Sequence, residues 1–112
     1  MDEDKPEMKT SFTTLGCPAW DLDTVIAQGS HMGFDGVDFR GLQDQIDVTL
    51  LPAFTSDVAT TRRRFEEAGF AVCGISSSLK VCDASLAEAN LEEAKRTIPV
   101  ATDLDVETIR VF

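Results

Sequence analysis

Short β-prone runs and amphipathic helical stretches alternate along this chain, and the alternation limits its fold more than any other feature. Four apolar runs are separated by three stretches with helical spacing, in strict order. That order is typical of right-handed βαβ units in a parallel sheet. The pattern leaves two architectures open, namely a small doubly wound sheet and part of a closed barrel.

The clearest junction in the pattern is the segment 33–41, in which a helix gives way to a strand. Gly33 can end the helix in a left-handed turn, and Val37 begins an alternation of apolar and charged residues. Asp38 and Arg40 are two residues apart, so they share one side of that strand near its C-terminal end. Parallel α/β folds collect ligand-contacting groups at this end, and the segment therefore predicts a site.

The ends of the other elements follow from turn and cap residues. Strands are predicted at 11–16, 37–40, 70–76 and 108–112. The first helix is predicted from a cap at Asp21 to the stop at Gly33, and the second from Ser56 or Asp57 to Gly69. In the connection 42–55 the apolar residues follow no helical or strand period, and a connection of that length is typical of a functional cover or lid.

The third helix carries two signals that compete. Capping-box patterns occur at Ser85 to Glu88 and at Asn90 to Glu93, and the second, which begins the stronger apolar series, predicts the start at Asn90. Pro99 predicts a kink or an early end. A series of apolar residues at helical spacing predicts its buried stripe. The series is Leu91, Ala94, Ile98 and Ala101.

Length and charge bound the domain count and the partners. The chain has 112 residues, which suits one domain, predicted at 11–112 after a disordered acidic tail at 1–10. A net charge of -10 opposes binding to nucleic acid, and no apolar run is long enough to span a bilayer. Cys17, Cys73 and Cys82 form no paired framework and match no zinc spacing, which predicts reduced thiols in a cytoplasmic protein.

Four segments occur here in an order that is known from one family. They are Leu15-Gly16-Cys17-Pro18-Ala19-Trp20, Gly33-Phe34-Asp35-Gly36-Val37-Asp38-Phe39-Arg40-Gly41, Arg63-Arg64-Phe65 with Ala68-Gly69, and Ile109-Arg110-Val111-Phe112. In this order they resemble the sugar phosphate isomerase/epimerase family, the xylose-isomerase-like TIM barrels. The resemblance spans 11–112 and implies the N-terminal half of a TIM barrel, a truncated α/β unit of four parallel strands with three intervening helices.

The resemblance also implies an activity and a cofactor. Members of the family carry out aldose-ketose isomerisation or keto-sugar epimerisation with a divalent metal, such as Mn, Mg, Co or Zn. The metal ligands and the two acid/base glutamates lie in the second half of such a barrel and map onto no position here. The resemblance therefore implies no catalytic residue, no metal site in this chain, and no activity for it alone.

The part of the family pattern that does map is the wall facing a sugar or sugar phosphate substrate. The substrate-binding candidates are Cys17, Trp20, Asp38, Arg40, Ser76, Ser77 and Arg110. Five of them have a simpler structural alternative: Asp38 and Arg40 could form an ion pair, the two serines a polar turn, and Trp20 a plug at the barrel end.

Two other functions stay open. A half barrel would leave two strand edges unpaired and its inner side chains uncovered, in a patch larger than monomers tolerate. Such a chain would self-associate or pair with a missing C-terminal half, which makes a non-catalytic assembly domain the alternative. A weaker alternative is a barrel like that of the apurinic endonucleases, against which the negative charge argues.

Overall fold

The centre of the fold is one parallel sheet of four strands. The structure, a computed structural model, describes residues 8–112, so most of the predicted tail at 1–10 lies outside the described residues. The strands pair in sequence order, which is the order of a barrel wall, whereas a doubly wound sheet reverses at a switch point. They are β1 (Ser11–Thr13), β2 (Gly36–Phe39), β3 (Ala71–Ser76) and β4 (Ile109–Arg110), and every pairing is parallel.

Three helices connect these strands: α1 (Leu22–His31), α2 (Val58–Ala68) and α3 (Ala87–Asp103). The predicted cap of α1 is confirmed, because the Asp21 carboxylate accepts a hydrogen bond of 2.9 Å from the amide of Thr24. The predicted stop of α2 is also confirmed, since Gly69 adopts the left-handed conformation at φ 62°.

The predicted start of α3 is wrong, and the helix does not end early at Pro99. The helix begins at Ala87 rather than at Asn90, and it continues past Pro99 to Asp103. Pro99 lies on the exposed side, where water can bond the carbonyl that loses its helical partner. Burial of Val100 and Leu104 beyond the proline stabilises the last turn and offsets this loss.

The buried stripe of α3 also differs from the predicted one. Ala101 is buried as predicted, but Leu91 and Ile98 are 55% and 56% exposed, and the helix buries Thr97 and Val100 in their place. Thr97 can be buried because its hydroxyl donates to the carbonyl of Glu93 at 2.8 Å. The predicted stripe was chosen by hydrophobicity, and it therefore missed Thr97, a polar residue on the buried side of α3.

The connection 42–55 is part of the core rather than a lid. It forms two short 3-10 helices, Val48–Leu50 and Pro52–Phe54, and buries Leu42 and Phe54. It is fastened to α3 by an ion pair of 3.0 Å between Asp47 and Arg96. Burial opposes ionisation of Asp47, but hydrogen bonds from Thr49 and Arg96 outweigh it and hold the pKa of this carboxyl below its usual range.

The two faces of the sheet differ in character. Val37, Phe39 and Ile75 are buried under the helices. The large apolar patch expected on the opposite, inner face is not found: apart from Phe112, which lies just beyond β4, the paired residues of this face have only small or polar side chains. By register and alternation these are Ser11, Thr13, Gly36, Asp38, Ala71, Gly74, Ser76 and Arg110.

The edges of the sheet agree with the expectation for a half barrel. Among residues 8–112, β1 pairs only with β2 and β4 pairs only with β3, so each has one unpaired edge. Some exposed apolar side chains lie on the helix layer, namely Met32 of the α1 cap and Leu91 and Ile98 of α3. Others lie in connections or just beyond strand ends, as do Leu15, Val81 and Phe112. In this described part of the chain, no helix is long and apolar enough to cross a membrane.

Candidate functional site

Polar side chains meet at the C-terminal ends of the central strands. Asp38 on β2 and Ser76 on β3 both lie on the inner face, and the Ser76 hydroxyl donates to Asp38 Oδ1 at 3.0 Å. Gly74 lies directly opposite Asp38, and a Cβ added there would be 3.4 Å from Asp38 Oδ2. The missing side chain at Gly74 therefore leaves Asp38 open toward the inner face.

Arg40 reaches across the sheet instead of pairing with Asp38. Its Nη1 donates to Ser78 Oγ at 2.9 Å and more weakly to the Ser76 carbonyl at 3.5 Å. The ion pairs within residues 8–112 do not include Asp38 with Arg40, so the simpler alternative of an intra-strand charge pair is wrong.

Arg40 and Arg110 flank the same aromatic ring. Their guanidinium carbons lie 5.4 Å and 5.1 Å from the centre of the Phe112 ring, within the range of cation-π attraction. Phe112 was not among the predicted site residues. The signal that could have found it is its spacing, because it lies two residues after Arg110 and so on the same side of an extended chain.

The backbone of Arg40 is set by a buried hydroxyl that sequence reasoning also missed. Thr14 Oγ1 accepts from the amide of Arg40 at 2.7 Å and donates to the carbonyl of Gly41 at 2.6 Å. Thr14 is fully buried, so these bonds are shielded from water. Its sequence context is that of any β-prone residue, and no local signal marks this role.

The two predicted serines have different surroundings. Ser76 contacts Asp38, whereas the Ser77 hydroxyl donates to the carbonyl of Arg110 at 2.8 Å and accepts from the amide of Leu79. Ser77 is buried, and its hydroxyl joins the end of β3 to β4. Ser78, the next residue of the serine run, is the one that contacts Arg40.

Cys17 and Trp20 lie apart from these groups. They line an apolar groove of about 280 Å³ beside β1, together with Phe12, Met32 and Phe34. Burial raises the pKa of the Cys17 thiol, which favours the protonated form over the nucleophilic thiolate. The structure thus brings together Asp38, Arg40, Ser76, Ser77 and Arg110, but not Cys17 and Trp20.

A cleft of about 520 Å³ lies beside Arg40 and Ser78, whereas Asp38, Ser76, Ser77 and Arg110 do not line it. Its lining residues include Arg40, Ser78, Lys80, Glu93 and Phe112. Cations therefore collect at one end of the sheet in a chain whose net charge is -10. Guanidinium groups, hydroxyls and an aromatic face are suited to an anionic or hydroxyl-rich ligand.

A second groove lies at the opposite ends of the strands. It measures about 290 Å³ and is lined by residues that include Arg62, Glu66, Gly69 and Asp105. Arg62 pairs with Glu66, one turn further along α2, at 2.8 Å. In barrel folds this end serves stability rather than ligand binding, so we place the site at the C-terminal ends.

The described residues do not fit the divalent ion that the family resemblance implies. Between residues 8 and 112, no three His, Cys, Asp or Glu side chains come close enough together to hold a metal ion. Asp38 and Glu93, the carboxylates beside the cleft, are engaged by Ser76 and by the amide of Ser78. We therefore derive no step through a metal in this part of the chain.

The parallel order, the helices on one face and the polar groups at the strand ends define the fold as the N-terminal half of a TIM barrel. No known family profile and no curated protein matches the chain. Two solved structures share its fold, and both chains are much longer than this one.

The first structure is that of the probable 3-DHS dehydratase AsbF, involved in petrobactin synthesis, from Bacillus anthracis. It has a TM-score of 0.72 and 17% sequence identity, over 94% of this chain and 38% of that one. The second is a xylose isomerase-like TIM barrel/4-hydroxyphenylpyruvate dioxygenase fusion protein, with a TM-score of 0.63 and 18% identity, over 93% and 16% of the two chains. This chain thus spans well under half the length of either structure, and the likeness is one of fold.

Proposed function

We propose that this chain forms the substrate-binding wall of a sugar or sugar phosphate isomerase or epimerase. The family resemblance of segments 15–20, 33–41 and 109–112 supports this function, and so does the likeness to a xylose isomerase-like barrel. The apurinic endonuclease alternative is disfavoured by the net charge of -10. The cytoplasmic location remains a prediction from the unpaired cysteines.

The observation that carries the proposal is the pair of arginines around Phe112. Neither Arg40 nor Arg110 takes part in the ion pairs found within residues 8–112. Both guanidinium groups lie within 5.4 Å of the centre of the Phe112 ring, and an anion bound beside this ring would offset their like charges. A phosphate group also matches the fork of an arginine, which can donate two parallel hydrogen bonds to it.

The other groups of the site are suited to the hydroxyls of a sugar. Asp38 accepts hydrogen bonds, and Ser78 can both donate and accept them. In this proposal the wall binds and orients the substrate, and the acid/base groups come from the complementary half of the barrel. The chain by itself then binds a sugar phosphate without turning it over.

Replacing Arg40 by methionine is expected to weaken the binding of fructose 6-phosphate at least tenfold. The substitution removes the charge but keeps most of the apolar stem, and a hydrogen bond to a charged group contributes about 1.5–3 kcal/mol. Isothermal titration calorimetry with fructose 6-phosphate, and with fructose as the uncharged ligand, measures the effect. The affinity for fructose should change much less, because fructose has no phosphate group for Arg40 to bind.

The matched control is Arg63→Met on the exposed face of α2. It removes the same charge from the chain at a position outside the cleft, so the affinity should stay within about twofold. Equal losses in both variants would mean that only the overall charge matters, and the proposed site would then be wrong.

The second candidate is an assembly domain, and the unpaired edges of β1 and β4 favour it. We propose that the chain pairs through these edges with a second copy or with a complementary half barrel. Light scattering after size exclusion separates the possibilities for the chain alone. A defined dimer that binds no sugar phosphate would favour assembly over substrate binding.

A further inference from the structure

Asn90 and Glu93 were predicted to cap a helix, but the structure gives them other partners. Because α3 begins at Ala87, both residues lie beyond the first residues of the helix. Asn90 Nδ2 donates to the carbonyl of Lys80 at 2.9 Å, and Asn90 Oδ1 accepts from the amide of Lys80 at 3.1 Å. Glu93 Oε2 accepts from the amide of Ser78.

These bonds fasten the segment 77–81, which follows β3 and is called the serine loop below. Its other side bonds to the backbone after β4: the amide of Ser77 donates to the carbonyl of Arg110 at 3.0 Å, and the amide of Val81 donates to the carbonyl of Phe112. The loop therefore behaves like a strand with a neighbour on each side. Backbone groups bond its odd-numbered residues, and side chains of α3 bond Ser78 and Lys80.

Ser78 links these hydrogen bonds of the serine loop to the proposed site. Its amide is held by Glu93, while its hydroxyl accepts from Arg40 Nη1 at 2.9 Å. A long arginine side chain has many rotamers, and ordering it costs conformational entropy unless a partner holds it. A fixed Ser78 keeps the guanidinium over Phe112 before any ligand arrives.

We propose that Asn90 and Glu93 are positioning residues that hold the serine loop so that Ser78 orients Arg40 for an anionic substrate group. This inference rests on the proposed function. Loss of either side chain leaves a backbone amide of the loop without its acceptor, so the loop opens more often. The orientation of Arg40 then has to be re-formed each time a ligand binds, which lowers affinity.

The test compares Glu93→Ala with Glu93→Gln. Glutamine keeps an oxygen that accepts from Ser78 but removes the negative charge, whereas alanine removes both. For Glu93→Ala we expect amide hydrogen exchange at Ser78 to quicken at least tenfold and the affinity for fructose 6-phosphate to fall at least threefold. For Glu93→Gln both quantities should stay within about twofold of the original chain.

Two further variants sharpen the comparison. Asn90→Ala should quicken exchange at Lys80 and lower the affinity, because both bonds to Lys80 are lost. Glu92→Ala is the control for charge, since Glu92 is exposed and its ion-pair partner is Lys95, at 3.7 Å. It should change neither the exchange of the loop nor the affinity.

The outcomes separate this inference from the proposed function. If the original chain binds fructose 6-phosphate and Glu93→Ala binds it equally well, the positioning role is wrong and the binding site stands. If Glu93→Gln binds as Glu93→Ala does, or more tightly than the original chain, Glu93 acts through its charge and the positioning role is again wrong. If the original chain binds no sugar phosphate, the proposed function and this inference both fail.

Discussion

Replacing Phe39 by alanine is expected to lower the free energy of unfolding by about 3–5 kcal/mol. Phe39 has an exposed fraction of 0%, and its ring packs edge to face against Phe54 at 5.0 Å and Phe65 at 6.0 Å between centres. The Phe39 ring packs β2 against the connection 42–55 and against α2. The cavity that the alanine leaves would therefore border three parts of the core. Domains of this size have a total stability of about 5–15 kcal/mol, which makes the expected loss a large share of it.

Urea unfolding followed by circular dichroism measures this loss, and Leu50→Ala is the control. Leu50 belongs to the same connection but is 58% exposed, so its truncation should change the stability by no more than about 0.5 kcal/mol. A cost below 1 kcal/mol for Phe39→Ala would contradict the placement of this ring at the centre of the core.

Adding a single methyl group at Gly36 is expected to destabilise the chain by about 2–3 kcal/mol. A Cβ at this position would lie 2.7 Å from the carbonyl oxygen of Ala71, which belongs to the backbone of β3 and cannot turn away. The first residues of β2 and β3 would have to separate, although Ala71 bonds to the carbonyl of Asp35 at 3.0 Å beside them. Gly36→Ala thus tests the closeness of this strand pair.

The matched variant is Gly16→Ala, measured in the same urea titration. A Cβ at Gly16 would meet nothing within 4 Å, and the position needs no left-handed backbone. Its stability should therefore stay within about 0.5 kcal/mol of the original chain. Equal effects of the two substitutions would indicate that β2 and β3 are not paired in this register.

Local sequence patterns predicted the helices and strands well, because cap and turn residues mark where these elements begin and end. Asp21 and Gly69 act where cap and turn rules place them, and β2 lies within one residue of its predicted bounds. The strand order, however, depends on how the units pack together. The alternation of strands and helices alone therefore left the doubly wound sheet and the barrel wall open, and the family resemblance favoured the barrel.

The misplaced features depend on contacts between distant segments. Pro99 is tolerated because neighbouring residues of α3 are buried, and Thr97 is buried because it bonds to Glu93. The bond from Thr97 spans only four residues of α3, but which residues of this helix are buried depends on its packing against α2 and the connection 42–55. The polar inner face is a similar case, since it follows from the register between strands rather than from any one strand.

The candidate site was predictable in part for the same reason. Asp38, Arg40 and Arg110 follow from their places at strand ends, and the structure brings them to one edge of the sheet. The partners Thr14 and Glu93 come from elsewhere in the chain, 26 residues before Arg40 and 15 residues after Ser78. Spacing could not assign them, because their roles arise only when the sheet and α3 are assembled.

The position of the site is the central claim, and an amide correlation spectrum titrated with fructose 6-phosphate tests it most directly. We predict that the amide signals of Arg40, Ser78 and Arg110 shift together with a single dissociation constant, while those of Gly69 and Asp105 in the opposite groove stay unchanged. Shifts confined to Gly69 and Asp105, or no shifts at all, would contradict a substrate-binding wall at the C-terminal ends of the strands.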